Sequence, residues 1–134
     1  MSDDERQGLA YSVTATNAEG LAPGTFSVYI ATSPAKLDQA RRGLLAELDG
    51  LLESGPAEAE LERARRFLVG NFAIDEQRSA VHAAHVSLDA LYGLGPDAGR
   101  HYAERIASVT KDDVLRVARR VIRLDAYTEA CIRP

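Results

Sequence analysis

ERQGLAYSVTATNAEGLAPGTFSVYIAT, residues 5–32, is the stretch on which the fold turns. From Leu9 to Thr16 polar and apolar residues alternate around Tyr11 and Val13, the period expected when successive side chains point to opposite faces of a strand. Asn17 to Gly24 supplies turn chemistry, and a second alternating run begins at Thr25. The spacing predicts an antiparallel hairpin with strands at 8–17 and 24–32. Phe26, Val28 and Ile30 fall on one face, Tyr29 and Ala31 on the other. A chain that enters a strand so soon after Met1 reads as one whose domain starts further upstream, and N-terminal truncation is therefore expected.

Beyond the hairpin the period changes to that of helices. Ser33 offers an N-cap and Pro34 a first helical position, and Leu37, Ala40, Leu44, Leu48 and Leu51 then recur at helical spacing. This predicts a helix over 34–54. Gly55-Pro56 ends it, and Leu61, Ala64, Leu68 and Phe72 mark a second helix at 57–73. Val81, Ala84, Leu88 and Leu91 mark a third at 76–92. The break GLGPDAG, residues 93–99, precedes a shorter helix near 97–107. Thr110 with Asp113 three residues on forms a capping box before a helix carrying Val114, Val117, Ala118 and Val121. Ala126 to Ile132 alternates as a closing strand. The order β-β-α-α-α-α-α-β has no βαβ alternation, so the class is α+β, an antiparallel sheet with helices packed on one face. A narrow sheet presents unpaired edges, which predicts a homo-oligomer formed through strand edges.

The composition narrows the partners. At 134 residues, 46% hydrophobic and 27% charged, the chain has the size and balance of a single soluble domain covering 1–134. Sixteen Lys plus Arg against twenty Asp plus Glu give a net charge of −4, the wrong sign for a phosphate-backbone binder, so nucleic acid is not expected. No stretch approaches the roughly 18 apolar residues of a membrane span, and no signal-peptide pattern opens the sequence. Cys131 stands alone, so neither an internal disulfide nor a cysteine-based zinc cluster can form. The compartment is left open between cytoplasm and periplasm.

Few residues carry a chemical signal. His82 and His85 lie three apart on one helix, with Asp89 a turn beyond, but a catalytic zinc needs three ligands with a base nearby and neither intervening residue is acidic. Ordinary helix histidines are the favoured reading, and no metal is expected. GLGPDAG follows a helix rather than a strand and is no phosphate loop. No Gly-x-Ser-x-Gly elbow occurs, and Cys131 has no histidine close in sequence. Arg119, Arg120 and Arg123 read as a solvated helix end. Arg63, Arg65 and Arg66 interleave with Glu58, Glu60 and Glu62 as an exposed ion-paired face. No catalytic residue emerges.

The distinctive residue left is Tyr11 in its setting. ERQGLAYSV at 5–13 resembles a signature of the insulinase- and pitrilysin-type zinc metallopeptidases, found in their C-terminal, non-catalytic domain. GTFSVYIATSPAKLDQA at 24–40 is similar to that domain's second hairpin strand and following helix. SGPAEAELERARRFLVG, with Gly55, Glu60 and Leu61, resembles its next helix start, and IASVTKDDVLRVARRVI its Val-Thr-x-x-Asp-Val-x-x-Val-Ala helix. The resemblance covers the later part of that domain, in the family's order. It implies an α+β roll that closes with a homologous domain or subunit around a peptide. The zinc motif His-x-x-Glu-His belongs to the other domain, so the resemblance implies zinc in that partner, no cofactor here, and no hydrolysis by this chain alone. It further implies that Tyr11 reaches the substrate, paired in the family with an arginine seven residues earlier. Asp4 stands at that position, and Arg6, the nearest arginine, falls on the opposite strand face. Tyr11 packed beneath a helix is the alternative. A pseudo-peptidase scaffold, as in the family's core subunits of the respiratory cytochrome complex, is the alternative for the whole chain.

Overall fold

The structure, a computed structural model, describes residues 10–18 and 24–132. Strands β1 (Ser12–Ala18) and β2 (Thr25–Ala31) pair antiparallel, in register from Ser12 opposite Ala31 to Ala18 opposite Thr25. Val13, Val28 and Ile30 share the half-buried face, whereas Tyr29, with its neighbours Ser27 and Thr14, looks into solvent. This one-sided burial is the usual outcome of an alternating antiparallel pair. The predicted strands lie where expected, but residues 8 and 9 fall outside the described residues.

A 3-10 turn at Pro34–Lys36 leads into α1 (Leu37–Ser54), followed by α2 (Glu58–Asp75), α3 (Ser79–Leu91), a second 3-10 turn at Ala98–His101, α4 (Tyr102–Ser108) and α5 (Lys111–Val121). Two antiparallel strands with these helices make an α+β chain, the class read from the sequence. The predicted helix at 34–54 thus starts as a 3-10 turn. Ser33 adopts the extended N-cap backbone, though its side chain makes no capping bond. The predicted helix at 76–92 begins later, because residues 76–78 form the corner between α2 and α3.

The backbone groups into two compact units, Met1–Gly55 with Leu115–Pro134, and Pro56–Val114. In the first, Gly55 ends α1 with φ 68° and ψ −179°, a conformation that glycine alone adopts freely, while its N–H bonds the carbonyl of Leu51 at 2.9 Å. Arg119 reaches the same helix end and donates through Nε to the carbonyl of Leu52 (2.9 Å) and through Nη2 to that of Glu53 (3.3 Å). A guanidinium there satisfies carbonyls that the helix leaves without partners and complements its dipole. Arg119 is therefore a cap, not the solvated cation expected from sequence. Ala40 is wholly buried and Ala118 nearly so.

The predicted closing strand does not form. Among the described residues the sheet has two strands, and 126–132 has no ladder partner. Arg123 grips Asp125 through two bonds of 2.9 Å, and the N–H of Ala126 bonds the carbonyl of Arg123, so the chain turns on leaving α5. The segment after this turn is held by side chains: Nε of Arg41 on α1 donates to Glu129 at 2.7 Å and its Nη2 to the hydroxyl of Tyr127 at 3.4 Å. Alternation makes a segment competent for pairing but does not supply the neighbouring strand.

In the second unit, Ala57 N–H bonds the carboxylate of Glu60 at 2.9 Å to open α2, and Leu61 is buried one residue later. Arg65 anchors α2 to the end of α4, as its Nη2 and Nε both donate to the carbonyl of Val109, at 2.6 and 3.2 Å. Its Nη1 faces Glu62 and Glu58. Arg65 is thus a half-buried tie within a face that the sequence suggested was only exposed and charged. The capping box at α5 forms as predicted: Thr110 N–H and hydroxyl both donate to Asp113, whose own N–H bonds Thr110 Oγ1. Large apolar side chains nevertheless stay open, among them Phe67 and Ile74 on α2 and Leu88 and Leu91 on α3.

Candidate functional site

Tyr11 stands just before β1. Its N–H donates to the carbonyl of Ala31 at 2.7 Å, which extends the ladder by one bond beyond Ser12 and fixes the backbone. The residue is 83% exposed, so the ring is not packed beneath a helix. A tethered main chain carrying a solvent-facing phenol is an arrangement that can offer an O–H donor, or accept, without first breaking a buried contact. Asp4 and Arg6, the two positions considered for its cationic companion, lie outside the described residues.

The two histidines expected to be ordinary helix residues have a specific partner that the sequence did not indicate. Glu76 closes α2, and the corner at 76–78 turns its carboxylate back onto the first turns of α3. One oxygen lies 2.5 Å from His82 Nδ1 and the other 2.6 Å from His85 Nδ1. These hydrogen bonds, His82 first and then His85, hold the Glu76 carboxyl below its ordinary range. A carboxylate only accepts, so each imidazole presents Nδ1–H to it. His85 lies flat against Phe72, centroids 5.5 Å apart with 9° between planes, and Phe72 stacks on Tyr102 of α4 at 4.1 Å and 16°. Gly99 borders this stack, since a Cβ there would stand 3.4 Å from Cζ of Phe72. Helices α2, α3 and α4 therefore meet at one small cluster.

Asp89, grouped with the histidines from sequence, lines an open cavity of about 300 Å³ together with Glu76, His82, His85, Asp97 and Arg100. Among the described residues no group of three His, Cys, Asp or Glu side chains is placed to hold a metal ion. No helix among them is long and apolar enough to cross a membrane. Cys131 is exposed and borders a separate cavity of about 270 Å³ with Pro34, Leu37 and Asp38.

Comparison with known proteins bears on the hairpin first. Residues 4–68 match the family described as the Peptidase M16 inactive domain. Over 118 residues the chain is 30% identical to an uncharacterized zinc protease of Streptomyces coelicolor, covering 88% of this chain and 26% of that protein. Its backbone resembles the crystal structure of a protease from Helicobacter pylori, with a TM-score of 0.69 over 87% of this chain and 28% of the other, at 18% identity. The chain therefore spans little more than a quarter of the length of either. The resemblance carried by ERQGLAYSV and the hairpin and helix after it thus coincides with the stretch that matches the Peptidase M16 inactive domain, and the backbone shares its fold with a solved protease.

Proposed function

We propose that this chain serves as a single C-terminal domain that encloses peptide for a zinc-dependent peptidase, while a homologous zinc-bearing domain or subunit performs the cleavage. The match to the inactive peptidase domain over 4–68 carries the proposal, because that stretch contains Tyr11. The open phenol on a tethered backbone is consistent with it. In that role Tyr11 donates a hydrogen bond to a peptide carbonyl as its oxygen gains negative charge, an interaction worth more in the transition state than in the ground state. The test is Tyr11→Phe in this chain combined with its zinc-bearing partner. Loss of one such donor lowers kcat by roughly 10²-fold with little change in KM. A variant that cleaves as fast as the parent overturns the role given to Tyr11.

Asp4, where the family pairs an arginine with the tyrosine, favours a second reading, a pseudo-peptidase scaffold that serves assembly alone. A complex that contains an intact His-x-x-Glu-His domain, holds zinc and cleaves no unstructured peptide would support it. The open strand edges and exposed apolar residues further support a homo-oligomer. Light scattering across a concentration series reads this directly, and a monomer at every concentration removes it.

A further inference from the structure

Glu76, His82 and His85 lie outside the reading given to Tyr11, yet they form the most closely bonded polar cluster at the corner between α2 and α3. One carboxylate serves two imidazoles, and both sit on the first two turns of α3. We propose that Glu76 is an acid-labile fastener: while ionised it holds the start of α3 against the end of α2, and on taking up a proton it releases α3 ahead of the rest of the unit.

Charge count decides how the corner responds to acid. With Glu76 ionised, each Nδ1–H has an acceptor whether its ring is neutral or cationic, so the cluster tolerates protonation of the imidazoles. Once the carboxyl is protonated, the two Nδ1–H donors one turn apart on α3 lose the anion they share. The carboxylic acid then also brings its own O–H donor to a place that needs only acceptors. Other groups at the cluster do not replace it. Asp89 and Asp97 line the adjoining cavity, and Arg100, paired with Asp97 at 3.2 Å, adds positive charge there. At the corner Asp75 is taken by Arg78 at 2.7 Å. Phe72 of α2 stacks on His85 and Tyr102 of α4 stacks on Phe72 in turn, and neither ring supplies a carboxylate.

A carboxyl held below its ordinary range stabilises the folded corner above the unfolded value, and that contribution disappears as pH falls through the folded value. The pH window is therefore the acid side of about 4.5, the ordinary value for a glutamate.

The experiment is amide hydrogen exchange of the full chain, with protection factors corrected for the intrinsic pH dependence of exchange. In the parent, protection over 79–91 falls on the order of three- to tenfold relative to 58–72 between pH 6 and pH 3.5. Glu76→Gln removes the charge without removing the side chain, so at pH 6 it already shows the low protection over 79–91 that the parent shows only in acid. The His82→Gln, His85→Gln double variant shows no selective acid step. If Glu76→Gln protects 79–91 at pH 6 as the parent does, or if 58–72 and 79–91 lose protection in parallel in all three proteins, the fastener is refuted.

Discussion

The guanidinium of Arg65 holds the carbonyl oxygen of Val109 through two nitrogens at once, at 2.6 and 3.2 Å, although the two residues lie 44 positions apart. Val109 ends α4, where carbonyls lack helical partners, and the fork supplies one oxygen with two donors. Arg65→Ala is expected to lower the unfolding free energy by about 1–2 kcal/mol, since the bonds come from a charged and half-buried donor. Arg65→Lys recovers only part of this, because a single ammonium cannot reproduce the planar fork. Urea titration followed by circular dichroism measures both, and a Lys variant as stable as the parent speaks against the fork geometry.

Gly55 has φ 68° with ψ −179° at the end of α1. An L side chain is sterically strained in that region, so Gly55→Ala is expected to cost on the order of 1–3 kcal/mol. Gly50 lies inside the same helix, and a Cβ there would meet no atom within 4 Å. Gly50→Ala is therefore expected to stabilise by a few tenths of a kcal/mol up to about 1 kcal/mol. Opposite shifts in Tm for two Gly→Ala changes in one helix are the signature to look for.

Thr110 and Asp113 close the box that opens α5. Thr110→Ala removes the hydroxyl that accepts from Asp113 N–H and is expected to cost about 1 kcal/mol. Thr110→Ser keeps the acceptor and most of the stability. Equal losses for Ala and Ser would point to the methyl group instead of the cap.

The purified chain, without any companion, is expected to leave an unstructured peptide intact, with or without added zinc, because the His-x-x-Glu-His motif is absent from its sequence. Chelator is likewise expected to leave its thermal midpoint unchanged. Cleavage that chelator abolishes contradicts this directly.

Features set by neighbours in sequence were readable in advance. The hairpin follows from alternation around a turn, the cap at α5 from a three-residue spacing, and the end of α1 from Gly55. The features that sequence did not reveal depend on residues brought together from afar. Glu76 looked like part of a helix with His82 and His85, and separations of six and nine carry no helical meaning. Only the corner at 76–78 brings its carboxylate onto both rings. Arg119 resembled any solvated helix-end cation until α1 presented its last carbonyls. Residues 126–132 have a strand's alternation, yet pairing requires a free ladder beside them. Tyr11 was singled out by resemblance rather than periodicity, and its exposure could not have been inferred from the letters around it.

The Arg41 clasp on Tyr127 and Glu129 has a practical outcome at the bench. A main chain that, among the described residues, has no ladder partner and is held through side-chain tips can be drawn extended into a protease cleft with little unfolding. Trace digestion should accordingly nick beyond Asp125 first, shortening the polypeptide at its carboxyl end while α1 stays whole.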